Sequence, residues 1–191
     1  LCGGAINSPQ VLLLSGVGAE SALQPHGIDM IHELAGVGKN LQDHLDVPLQ
    51  YACKQPITLH SMIRMDRIAP QFLRAMFLRD GPGVSFPAEG GAFLRTDAAL
   101  AIPDIQVHFL IGLSAARVRV PWLWRINRGP LERDGFTTRI CQLRPDSRGS
   151  IKLRSADPFD KAIMEPNYLA SDTDRQTLRR GLRLLREVVN Q

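Results

Sequence analysis

Little in this chain is built for cross-linking or for crossing a membrane. Its 191 residues hold three cysteines, Cys2, Cys53 and Cys141. They lie far apart without C-x-x-C spacing, which argues against a disulfide framework or a zinc site and fits a reducing cytoplasm. Lysine is scarce too: Lys39, Lys54, Lys152 and Lys161 are the only ones, so arginine supplies nearly all of the net charge of +4. That excess is too small to name a polyanionic partner. No apolar stretch approaches the roughly 20 residues of a transmembrane helix, and no basic region leads into a signal-type core. An initiator Met is missing as well: the chain starts Leu1-Cys2-Gly3-Gly4 and reads as a fragment or a processed piece. What remains is ordinary globular composition, 44% hydrophobic and 22% charged, at a length suited to one core, or to one domain and part of another.

The densest local signal is Gly4-Ala5-Ile6-Asn7-Ser8-Pro9-Gln10-Val11-Leu12-Leu13-Leu14-Ser15-Gly16-Val17-Gly18. Ser8 suits an N-cap and Pro9 the first helical position, where no donor is needed. Gly16 suits the left-handed residue that closes a helix. These signals predict a short, mostly buried helix over 9–15. Gly16-Val17-Gly18-Ala19-Glu20-Ser21 has Ser21 where a dinucleotide-binding loop needs its third glycine, and it follows a helix where such a loop should precede one; it is not a phosphate loop.

Further along, residues 19–24 form a short helical turn closed by Pro25-His26-Gly27, 28–34 are extended or irregular, and 36–40 are a loop. Alternation over 45–53 predicts a strand that Pro48 confines to an edge or a bulge. From Ser61 to Arg79, Met65, Ile68, Ala69, Phe72, Leu73, Met76 and Phe77 recur at helical spacing, with a restart or kink at Pro70. A strand begins near Glu89. Residues 104–111 form the clearest strand, with Ile105, Val107, Phe109 and Ile111 on one face and Gln106 and His108 on the other. Strands over 136–143 and 150–154 are joined by a turn at 144–149. Ser171-Asp172-Thr173-Asp174 starts a last helix whose buried stripe is Leu178, Leu182, Leu185 and Val189. The pattern implies an α+β fold, an antiparallel sheet with helices packed on one side.

The opening stretch resembles the second signature of the glucose–methanol–choline family of FAD-dependent oxidoreductases. Gly36-Val37-Gly38-Lys39-Asn40-Leu41-Gln42-Asp43-His44 is similar to the family's segment beside the flavin. Glu89 to Thr96, Pro103 to Phe109, Pro145 to Gly149 and Glu165-Pro166-Asn167-Tyr168-Leu169 resemble successive pieces of its choline and aliphatic alcohol dehydrogenase branch. The resemblance implies a remnant of the FAD-binding domain over 1–44 and a C-terminally incomplete substrate-binding domain over 45–191. It implies FAD as cofactor, a small primary alcohol such as choline or an aliphatic alcohol as substrate, and hydride transfer from alcohol to flavin. In the family the histidine that takes the hydroxyl proton lies in a segment beyond Gln191, and the glycine-rich pyrophosphate loop in one before Leu1. No residue here is therefore assigned as catalytic, and the chain alone is expected neither to retain FAD nor to oxidise an alcohol. Val11, Leu12 or Leu14 of the opening helix are expected to be exposed and to offer a surface for association.

By the same resemblance Asn40, Asp43 and His44 are candidates for contact with the flavin, and Glu89, Phe93, Gln106 and His108 for contact with substrate. Glu89 matches a glutamate facing a trimethylammonium group, to which nearby aromatics add a cation–π attraction; the alternative is a carboxylate that satisfies loop amides. Asp43 and His44 are adjacent, so their side chains diverge, and a local structural pair is the plainer reading. His26, His32 and His60 have no companions at ligand spacing, and no metal is indicated. Residues 115–135 interleave Arg117, Arg119, Arg125, Arg128 and Arg133 with Trp122 and Trp124, which suits a nucleic-acid or membrane-surface module. Pro121, Pro130, Glu132 and Asp134 weaken that alternative and favour a loop at a cavity entrance, with no nucleic acid as partner. The expected location is cytoplasmic, free or peripheral at a membrane. A non-catalytic relative of the family is the remaining alternative.

Overall fold

The computed structural model describes residues 1–58, 65–81, 84, 88–113 and 134–190. The chain forms two compact units, each discontinuous in sequence: residues 1–45 with 144–179, and residues 46–143 with 180–191. A contiguous split at 44/45 thus differs from the observed clustering in that 144–179 gather with the N-terminal residues. Of the Arg/Trp stretch at 115–135, residues 115–133 lie outside the described residues, as does His60.

The first unit begins with helix α1, Gly4–Leu14. It starts earlier than Ser8-Pro9 suggests, and Pro9 lies in its interior. Nothing local in Gly3-Gly4 favours helix. The added turn is held because the Ser8 hydroxyl accepts from the Gly3 N–H at 3.1 Å, so the serine serves a donor before the helix and caps no helix of its own. The expected left-handed ending is present: Gly16 has φ 76°, and the Ser15 N–H donates to Val11 O at 3.0 Å. The helix is less buried than its apolar run alone suggests. Only Leu13 is fully buried, packing with Leu23 and Leu153, while Val11 is 43% exposed.

Two-residue strands β1 (Val17–Gly18) and β2 (His32–Glu33) pair in parallel, an exception to the antiparallel expectation. Between them lie α2, Glu20–Leu23, and a tight turn over Gln24–His26 closed by Gly27. Strand β3, Lys39–Leu41, occupies part of what the sequence marks as loop. It pairs antiparallel with β8 (Gly149–Lys152), which pairs with β9 (Ile163–Glu165). Lys and Asn are poor strand formers, and the partner that overrides them is far away in sequence.

The second unit is a four-stranded antiparallel sheet in the order β4 (Asp46–Ala52), β7 (Gly135–Gln142), β6 (Ile105–Leu110), β5 (Ala88–Leu94). Strand β4 lies at an edge, where Pro48 removes no needed ladder bond. One face of this sheet is the core: Ile105, Val107 and Ile140 pack with Leu185 and Leu182 of the last helix, α4 (Asp172–Val189). Each fully buried aliphatic side chain contributes about 1.5–3 kcal/mol. Tyr51 stacks on Phe136 at 5.1 Å, and Phe109 lies 5.3 Å from the same ring.

Helix α3, Met65–Leu78, has Pro70 in its interior. Its apolar stripe is where the periodicity puts it, yet Phe72 is 65% and Phe77 73% exposed, with Leu73 and Met76 also exposed. Among the described residues no helix is long and apolar enough to cross a membrane.

Candidate functional site

Within the first unit, the opening helix and the Asn40 segment together shape an open groove of about 490 Å³. Ala5, Pro9 and Leu12 of α1, with Val37, Leu41 and Ile151, supply apolar surface, and Ser8, Lys39, Asn40 and Gln42 supply the polar groups. Two local conformations build it. Gly38, at φ 75°, lets the chain turn against β8, and Asn40 holds φ 58°, a left-handed geometry that asparagine tolerates better than most residues. Gln42 Nε2 donates to Pro145 O at 3.2 Å.

Of the three residues expected beside a flavin, Asn40 lines the groove. Asp43 and His44 follow the strand that does so. The carboxylate of Asp43 accepts the Tyr168 hydroxyl through Oδ2 and the His44 N–H through Oδ1, the latter at 2.9 Å. Bonded to a carboxylate, the Tyr168 phenol is raised above the ordinary tyrosine value, chiefly by that hydrogen bond.

The second unit brings other candidates together. On the sheet face opposite Ile105 and Val107, Phe93 pairs across strands with Gln106, Gln106 with Cys141, and Cys141 with Asp46. In the next row Gly91 pairs with His108, His108 with Arg139, and Arg139 with Pro48. Phe93 is 60% exposed. Arg139 is ion-paired with Asp46, whose Oδ1 is buried with no hydrogen-bond partner among the described residues. The Cys141 thiol lies 4.0 Å from Gln106 Oε1 and is held above its usual pKa, first by burial and then by the Asp46 charge. Glu89 falls between Ala88, opposite Leu110, and Gly90, opposite Phe109, where the register shifts; its side chain lies outside the described residues.

The sequence reading missed Lys39, Gln42, Ser8, Tyr168, Arg139 and Asp46. Signals were present for some of them: Lys39 and Gln42 flank Asn40, and Tyr168 belongs to the Glu165–Leu169 segment. For Arg139 and Asp46 the only signal is strand parity, which says nothing until the strands are paired.

Two models of one family, both described as GMC oxidoreductase, match residues 1–46 and 145–191. The chain belongs to the glucose–methanol–choline oxidoreductase family. It is 40% identical to the oxygen-dependent choline dehydrogenase of Pseudomonas syringae pv. tomato and 39% identical to the mitochondrial choline dehydrogenase of Homo sapiens. Both matches cover 100% of this chain, and 32% and 31% of those proteins. The chain thus spans about a third of the length of these relatives. Among solved structures it is similar to the formate oxidase of Aspergillus oryzae, studied there for FAD modification. The TM-score is 0.81 at 27% identity, over 95% of this chain and 35% of the other.

Proposed function

We propose that this chain supplies flavin-binding and substrate-binding residues to an FAD-dependent oxidoreductase that converts a primary alcohol, choline or an aliphatic alcohol, to its aldehyde. The observation that carries this reading is the groove, because all of its lining except Ile151 comes from two of the segments that carry the family resemblance, 4–18 and 36–44. Apolar walls with a few convergent polar groups suit a planar heteroaromatic ring whose edge hydrogen-bonds. Asn40 offers a carboxamide that donates and accepts, Lys39 a cation, and Ala5, Pro9, Leu12 and Ile151 a surface that excludes water. FAD, when bound, supplies the acceptor for the hydride leaving the carbinol carbon.

The two units divide the work. Residues 1–45 with 144–179 serve the flavin, and residues 46–143 with 180–191 serve the substrate. In the second unit, Gln106 and His108 offer hydrogen bonds to an alcohol oxygen, Phe93 offers an exposed ring to an alkyl or trimethylammonium group, and Glu89 offers a carboxylate to a cation. The choline dehydrogenases among the relatives support choline as the first substrate to try.

The test uses the protein that carries this chain. Wild type should purify with flavin absorbance that choline or an aliphatic alcohol bleaches in the absence of oxygen. Asn40→Ala should weaken FAD binding about threefold to tenfold, the net worth of one hydrogen bond. A wild-type protein without flavin, or one whose flavin no primary alcohol reduces, would reject the reading.

A further inference from the structure

Beside the groove, the first unit contains a second place where non-glycine residues hold left-handed backbone, Asn167 at φ 54° and Leu169 at φ 59°. Leucine rarely adopts this geometry, and such strain persists only where surrounding contacts over-determine it. Those contacts are present. Asn167 Nδ2 donates to Arg148 O at 3.0 Å, and Arg175 Nη1 donates to Leu169 O at 2.6 Å and to Ala170 O at 3.3 Å. What the strained turn delivers is the side chain between its two outliers: the Tyr168 hydroxyl, donated to Asp43 Oδ2 across 125 residues of sequence.

Asp43 closes the run Lys39-Asn40-Leu41-Gln42, every member of which lines the groove. The carboxylate uses its other oxygen on the His44 N–H, and Gln42 is tied to Pro145. The groove-lining run is therefore anchored at its far end by two side-chain bonds to the 145–168 stretch. Tyr168 is 42% exposed, so burial of its ring is not its main contribution. The bond to Asp43 raises the phenol above the ordinary tyrosine value, so it remains a donor.

We propose that Tyr168 is a positioning residue for the groove: acting through Asp43, it holds the 40–42 backbone, and with it the Asn40 carboxamide, in the geometry that accepts the flavin ring. This rests on the groove being the flavin site. It assigns to the Glu165–Leu169 segment a role at a site whose lining it does not join.

The experiment measures the FAD dissociation constant and the thermal midpoint of the full protein as wild type, Tyr168→Phe, Asp43→Asn, Asp43→Leu, and Tyr168→Phe combined with Asp43→Leu. Tyr168→Phe removes one oxygen and keeps the ring, so FAD affinity should fall about threefold to tenfold with the apoprotein midpoint unchanged. Asp43→Asn keeps an acceptor for the phenol and should retain most of the affinity. Asp43→Leu should match Tyr168→Phe or exceed it, and the double variant should be no weaker than Asp43→Leu alone, since both changes break one contact. A Tyr168→Phe protein that binds FAD as tightly as wild type overturns the inference while leaving the flavin reading in place. Flavin loss that only follows a lowered apoprotein midpoint also overturns it. A wild type that takes up no FAD overturns both.

Discussion

Gly38 and Ile151 meet backbone to backbone: the Ile151 N–H donates to Gly38 O at 2.7 Å, and a Cβ on Gly38 would lie 2.2 Å from Ile151 O. No side-chain rotation relieves that contact, and φ 75° at Gly38 adds left-handed strain. Gly38→Ala should therefore destabilise the protein by about 2 kcal/mol or more and disturb the groove that both residues line. Gly181 is the control. A Cβ there would lie 2.6 Å from Ile140 Cδ1 and 3.0 Å from Ile105 Cδ1, which are side-chain tips that can turn aside, and alanine gains about 1 kcal/mol of helix propensity. Gly181→Ala should stay within about 1 kcal/mol of wild type. Urea midpoints of the two variants check the contrast, and the reverse order would contradict it.

The same pair shows what could be read in advance. Period-two patterning located β6 and its two faces because Ile105 and Val107 differ so plainly from Gln106 and His108, and the Pro48 edge followed from one missing donor. Strand β3 was hidden because Lys39 and Asn40 carry no strand signal, and Gly38 gains its meaning only when Ile151 is beside it. At α1 the local start signal of Ser8-Pro9 lost to a bond from Gly3 that no propensity scale contains. The stripe of α3 was legible as a stripe; periodicity could not say that Phe72 and Phe77 would face outward in this chain. Of the site, the resemblance singled out Asn40 as a candidate for flavin contact; that it lines a groove with the opening helix, and that Asp43 beside it is tied to Tyr168, needed coordinates.

Asp174, on the first turn of α4 and 1% exposed, holds the turn between β7 and β8. Its carboxylate accepts the Asp146 N–H at 2.8 Å, the Ser147 N–H at 2.9 Å and the Ser147 hydroxyl. That hydroxyl oxygen accepts the Ser171 N–H at 3.1 Å in turn. Asp174→Ala would strip an acceptor from several donors, some of them buried, and should cost about 3 kcal/mol or more. Asp174→Asn keeps one acceptor oxygen and should cost less than the alanine. Equilibrium urea unfolding of the three proteins measures both steps, and an alanine variant as stable as wild type would mean the clamp contributes nothing.

On the three-stranded sheet, Lys152 Nζ lies 2.5 Å from Glu165 Oε2. The Glu165 carboxyl is held below its usual value of 4.5, first by that hydrogen bond, then by the Lys152 charge, with smaller help from the Ser150 hydroxyl and the Lys39 charge. A carboxyl depressed in the folded state stabilises it above the unfolded pKa, and that contribution disappears as pH falls through the folded one. Wild type should therefore exceed Glu165→Gln in stability near neutral pH. The two should converge as acid protonates Glu165, below the usual glutamate range. Both partners are about half exposed, so added salt should shrink the neutral-pH difference by screening. Urea midpoints of both proteins across pH, at low and high salt, measure the effect. A difference that widens toward acid would show that Lys152 does not hold Glu165 ionised.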